Sequence, residues 1–71
     1  MEKITAEQAE MVRLFKHGRG EIIPYLSDSP MYLNLMNNYF TEEKFDDAEN
    51  WTVEDRELYQ KICMHKLDKL V

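Results

Sequence analysis

Between Ile4 and Gly18 the apolar residues fall at helical intervals. Ala9, Met11, Val12, Leu14 and Phe15 share one side of a wheel, and Glu10, Arg13 and His17 face outward. Thr5 with Gln8 three residues later forms a capping box, Ile4 and Ala9 are placed for a hydrophobic staple, and Gly18 follows Lys16 and His17 as a stop. The pattern predicts a helix over about 6–17 with one buried face, then a turn at Gly18-Arg19-Gly20. In Ile22-Ile23-Pro24-Tyr25-Leu26 the proline would break a helix interior but fits a first turn. Residues 21–28 therefore read either as a short helical turn or as an extended connector.

Ser29-Pro30 supplies an N-cap and a first helical position for a helix of about 30–40. Its only internal polar residues, Asn34, Asn37 and Asn38, cluster within about 100° of the wheel and leave an apolar arc of roughly 200°. Such an arc needs cover on both flanks. Either this helix is central to the core, or it also offers a Met- and Tyr-rich interface to another molecule. Thr41 caps a short helix of about 42–49 carrying Phe45 and Ala48 on one side. Thr52 with Asp55 repeats the capping box for a last helix of about 53–70, whose apolar side is Val53, Leu58, Tyr59, Ile62, Cys63, Leu67 and Leu70. β-Branched residues nowhere alternate with polar ones over a strand's length. The expected fold is all-α, a small bundle of three to four short helices in a single domain spanning 1–71.

Length changes what such a bundle can do. A chain of 71 residues buries only about 60% of its unfolded surface, which leaves little room for a deep substrate cavity beside a core. Catalysis is not expected. The longest apolar run is three residues, far below the roughly 20 that span a bilayer, and no basic segment followed by an apolar stretch succeeds Met1. With a single cysteine, Cys63, the expected setting is the reducing cytoplasm, away from membranes.

The net charge of −5 opposes the phosphate backbone that a nucleic-acid binder must neutralise, so direct nucleic-acid binding is not expected. The charge is concentrated. Residues 41–57 carry eight acids and two bases, while 58–71 is net basic. Glu42, Glu43, Asp46, Asp47 and Glu49, with Glu54, Asp55 and Glu57 beyond them, give this stretch a strong local negative field that attracts basic surfaces. The same acids also suit helix N-termini. Arg13, Lys16, His17 and Arg19 cluster at the end of the first helix, where they favour its dipole or answer the acidic segment of a second copy.

Chemistry-bearing patterns are sparse. Cys63 and His65 stand two apart and point to different sides of a helix, so no metal site is assigned. Asp46, Asp47 and Glu49 lack the alternate spacing and glycine of a calcium loop, and Gly18-Arg19-Gly20 lacks the length and following Lys-Ser/Thr of a phosphate loop. Neither histidine is placed by pattern beside Ser27, Ser29 or Cys63, as nucleophilic catalysis would require. Asn50-Trp51-Thr52 fits a glycosylation acceptor but reads more simply as a turn and a cap. No catalytic, cofactor or metal residues are assigned.

Trp51, the only tryptophan, is either a core anchor joining the acidic segment to the last helix or an exposed contact residue. The reading that joins these features is a non-catalytic regulator, adaptor or inhibitor that binds another protein with a basic surface. Its contact residues would be Met36 and Tyr39 of the 30–40 helix, Trp51, and the acids Glu42, Glu43, Asp46, Asp47 and Glu49; it admits a homodimer. The alternative treats 41–57 as a nucleic-acid mimic that inhibits a DNA- or RNA-binding protein. A helix-turn-helix DNA binder comes third, because no helix carries the basic character of a recognition helix.

Overall fold

A computed structural model describes residues 2–70. Four α-helices, α1 (Ala6–Ile22), α2 (Pro30–Asn38), α3 (Glu42–Asp46) and α4 (Val53–Leu70), are joined with two 3-10 turns, Ile23–Leu26 and Ala48–Asn50. No strand occurs among the described residues, so the fold is the all-α bundle that the periodicity predicts.

The helix starts are set by local side chains. Thr5 Oγ1 accepts from the Gln8 N–H at 3.1 Å, and Gln8 Oε1 accepts from the Thr5 N–H at 3.0 Å, satisfying two otherwise orphaned donors. Thr41 Oγ1 caps α3 by accepting from the Lys44 N–H. Thr52 and Asp55 exchange bonds of 3.1 and 3.2 Å to open α4. Ser29 occupies the N-cap of α2, but its side chain makes no capping bond; Pro30 at the first turn carries the start alone.

The helix ends depart from the sequence pattern. α1 does not stop at Gly18 but continues to Ile22, and neither glycine has positive φ. The cause is tertiary. The continuous helix places Arg19 where its guanidinium donates to the carbonyls of Phe40 at 2.9 Å and Met36 at 2.7 Å, closing the C-terminal end of α2, and buries Ile22. These contacts offset the roughly 1 kcal/mol that each glycine costs relative to alanine inside a helix. Ile23–Leu26 then forms a 3-10 turn with Pro24 near its start, so of the two conformations open to 21–28 the helical one is found, with Glu21 and Ile22 still in α1. α2 ends at Asn38, since the N–H groups of both Tyr39 and Phe40 turn back on the Leu35 carbonyl and Phe40 enters the core. The single helix expected over 42–49 is split at Asp47, whose φ of −100° and ψ of 34° leave the helical region.

A Cβ at Gly18 or Gly20 would meet nothing within 4 Å. Gly18→Ala and Gly20→Ala should therefore each stabilise the protein by about 0.5–1 kcal/mol, read as a higher urea midpoint at unchanged slope. A lower midpoint would contradict the open surroundings.

The core is aromatic at its centre. Trp51, Tyr59, Phe40 and Phe45 are at most 1% exposed, and their ring centroids stand 5.1–6.0 Å apart in tilted and edge-on pairs, the separations that suit ring quadrupoles. Phe15 of α1 stacks on Tyr59 at 5.4 Å, and Leu26, Met36, Ile62 and Val12 complete the fully buried set. The segment before α1 is pinned to the start of α4: the Ile4 N–H donates to the Trp51 carbonyl at 3.1 Å and the Val53 N–H to the Glu2 carbonyl at 2.9 Å.

Candidate interaction surface

α3 and the 3-10 turn after it form a short amphipathic edge. Phe45 and Ala48 are fully buried beneath it, while Glu42, Glu43, Asp46, Asp47 and Glu49 are all exposed. The apolar anchors thus hold five carboxylates outward on a rigid element. Two of the five are ion-paired within the chain. Arg13 reaches Glu49 at 2.9 Å and Lys16 reaches Asp46 at 3.0 Å. The Asp46 carboxylate, through its hydrogen bond and then its charge, holds the Lys16 ammonium above its ordinary range. The basic cluster of α1 therefore answers the acidic segment of its own chain. Such exposed pairs contribute little stability; they follow from how α1 lies beside the edge. Asp47 accepts from Asn50 Nδ2 at 2.6 Å, and Glu42 and Glu43 form no ion pair among the described residues.

The remaining predicted contact residues are not on that edge. Met36 and Trp51 are 0% exposed, which corrects their assignment as contact residues: both belong to the core. Met36 lies on the flank of α2 that packs inward, and the Trp51 indole N–H donates to the Lys44 carbonyl at 2.6 Å, so even its polar handle is spent internally. Tyr39 is 42% exposed, yet its hydroxyl donates to Asp55. Of the predicted residues, the structure brings together the five acids and separates them from the apolar ones.

Behind the edge lies a polar network that sequence spacing does not reveal. Asp55 accepts from Tyr39 Oη, from the Thr52 N–H and from Lys44 Nζ at 3.2 Å. The Lys44 ammonium also sits 4.6 Å from the Tyr39 ring centroid, in cation–π range. Burial pushes the Asp55 carboxyl up, but the bonds from Tyr39, Thr52 and Lys44 outweigh it and hold the group below the usual carboxylate range. The hydrogen bond to Asp55, reinforced by burial, pushes the Tyr39 phenol up. For Lys44, burial favours the neutral amine, yet its bonds to Asp55 and Tyr39 prevail and raise it. The one sequence signal toward this network was the Thr52/Asp55 capping box.

Elsewhere, α2 and α4 border a groove of about 450 Å³ lined by Tyr32, Glu57, Met64, His65 and Asp68 among others. His65 meets Tyr32 edge-on at 5.4 Å, and its Nε2 lies 3.6 Å from the Asp28 carboxylate, which Lys69 also engages. Cys63 and His65 are both half-buried, and burial pushes the Cys63 thiol up, which lowers its nucleophilic fraction at neutral pH. Among the described residues, no three of His, Cys, Asp and Glu gather as metal ligands, and no helix is long and apolar enough to cross a membrane.

Comparisons with protein families, with curated proteins and with solved structures return no match to this chain.

Proposed function

We propose that this chain is a non-catalytic protein-binding module, a regulator, adaptor or inhibitor acting in the cytoplasm, that presents the acidic edge of α3 to a basic surface on its partner. The observation that carries the reading is the edge itself, five exposed carboxylates on an element anchored by Phe45, Ala48 and Trp51. A preformed field of one sign steers a basic partner and costs little ordering on binding. The cytoplasmic setting draws support from the unpaired, half-buried thiol of Cys63, which a reducing compartment preserves.

The nucleic-acid mimic draws less support. A mimic needs its carboxylates free to stand in for phosphates, and Arg13 and Lys16 already neutralise Glu49 and Asp46.

The test uses Glu42→Gln, Glu43→Gln and Asp47→Asn together, a set that leaves both ion pairs to α1 in place. The tagged protein and this variant, matched by circular dichroism, are used to capture partners from the lysate of the source cell. The expected result is a partner retained only by the unaltered protein, with association slowed about tenfold or more by the substitutions at low salt. A partner held equally by both would remove the edge from the interface, and one displaced by DNA would favour the mimic.

A further inference from the structure

The outward stripe of α1 carries Met11 and Leu14, which the helical wheel sets on its buried side. Glu7, Glu10, Met11, Leu14 and Gly18 recur at i, i+3, i+4, i+7 and i+11 and so share one face of the helix. Met11 is 55% and Leu14 64% exposed, and a surface depression of about 640 Å³ is lined by Glu7, Glu10, Met11, Arg13 and Leu14. Two large apolar side chains one turn apart make a small apolar patch that a partner's apolar edge can cover. Gly18 extends the stripe by one further turn. It has no conformational need to be glycine, because its φ is helical, and no neighbour within the chain would meet a Cβ there. A glycine so placed removes the side chain that would keep a second backbone at a distance.

The charges bordering the stripe select the occupant. Glu7 and Glu10 are exposed and form no ion pair among the described residues. A second copy offers these acids no cation from the same stripe. A parallel pairing sets Glu7 and Glu10 against themselves, and an antiparallel pairing that seats Met11 on Leu14 sets Glu7 against Gly18 and Glu10 against Phe15. An anionic lipid surface is disfavoured for the same reason.

We infer that α1 docks a short amphipathic helix of a partner protein, one with a narrow apolar edge flanked by Lys or Arg. Its apolar edge seats between Met11 and Leu14, its backbone passes close over Gly18, and its cations meet Glu7 and Glu10. This face adjoins the acidic edge through Arg13, which lines the depression and pairs with Glu49, but Glu7, Glu10, Met11 and Leu14 are not part of that edge, and the inference holds whether or not the edge binds anything.

The probe is a dye-labelled helical peptide of about 18 residues with leucines at i, i+3, i+4 and i+7 and lysines on either side, titrated by fluorescence anisotropy. Its control carries glutamates in place of the lysines. Leu14→Ser tests the apolar contact, and Gly18→Leu tests the close approach. Gly20→Leu is equally open to a side chain but lies on another face, so it controls for helix effects. The expected result is binding of the lysine peptide alone, weakened about tenfold or more by Leu14→Ser and by Gly18→Leu. Gly20→Leu should bind as the unaltered protein does, and loss of binding in the Glu42/Glu43/Asp47 variant would assign the peptide to the α3 edge and overturn the inference. Equal binding by Leu14→Ser or Gly18→Leu, or equal binding of the glutamate peptide, would overturn the inference. So would sedimentation showing a dimer that Leu14→Ser dissolves, which would assign the stripe to a second copy.

Discussion

Trp51→Ala will leave the chain largely unfolded at room temperature. Cutting a buried tryptophan to alanine costs about 3–5 kcal/mol through lost burial and the cavity left behind. A 71-residue domain without staples rarely holds more than about 3–5 kcal/mol in total. Trp51 is 0% exposed and touches Phe40, Phe45 and Tyr59 at ring distances of 5.3–6.0 Å, so these three rings lose a common partner at once. Its indole N–H is also the donor to the Lys44 carbonyl, and removing it loosens the end of α3. Circular dichroism at 222 nm against urea reads the outcome. Leu14→Ala is the matched control: a large residue 64% exposed should shift stability by no more than about 0.5 kcal/mol. Should Trp51→Ala retain the native helical signal and urea midpoint, the tryptophan would be a surface contact and the core would lie elsewhere.

This prediction rests on a fact that periodicity leaves open. Trp51 stands in a two-residue link between helical segments, where no hydrophobic repeat tells inside from outside; only the arrival of α3 and α4 around it decides. Met36 shows the same limit, because a helix with a 200° apolar arc fits a core and an interface equally well. The helix starts were legible for the opposite reason: Thr5 with Gln8, Thr41, and Thr52 with Asp55 act within three residues, so the signal and its effect lie together. The end of α1 was not legible. Gly18 carries a true stop signal, and it is overridden by Arg19 finding carbonyls 17 and 21 residues away. The acidic segment was visible in composition, whereas its partial neutralisation was not. Arg13 and Lys16 meet acids 36 and 30 residues downstream, a pairing set by how α1 lies against α3.

Asp55→Ala is expected to cost about 2–3 kcal/mol, the loss of an N-terminal cap together with a half-buried ion pair broken on one side. The carboxylate serves three donors at once, the Tyr39 hydroxyl, the Thr52 N–H and the Lys44 ammonium, and each is left without that acceptor. Asp55→Asn keeps an acceptor for Tyr39 Oη but sets a donor NH2 where Oδ2 accepts from the Thr52 N–H and Lys44, so it removes the charge and the cap while keeping the side chain's shape. The pH dependence follows from the same contacts. The folded Asp55 pKa is depressed, so the unfolded chain binds this proton more readily. Its contribution is fully present above the unfolded carboxylate value of about 4 and is lost as pH falls through the folded value. Asp28, lowered chiefly by its hydrogen bond to Lys69, acts in the same direction at the surface. Tyr39, Lys44 and Tyr59 are shifted upward, so their contributions are present below their unfolded values and lost as pH rises beyond about 10. Urea midpoints across pH should therefore form a plateau that falls at both ends. The gap between the unaltered protein and Asp55→Asn should be constant near neutrality and close in acid, where both carry an uncharged side chain. A gap that persisted unchanged to the lowest pH at which the protein stays folded would show that Asp55 acts through shape alone, and that its bonds to Lys44 and Tyr39 contribute nothing through charge.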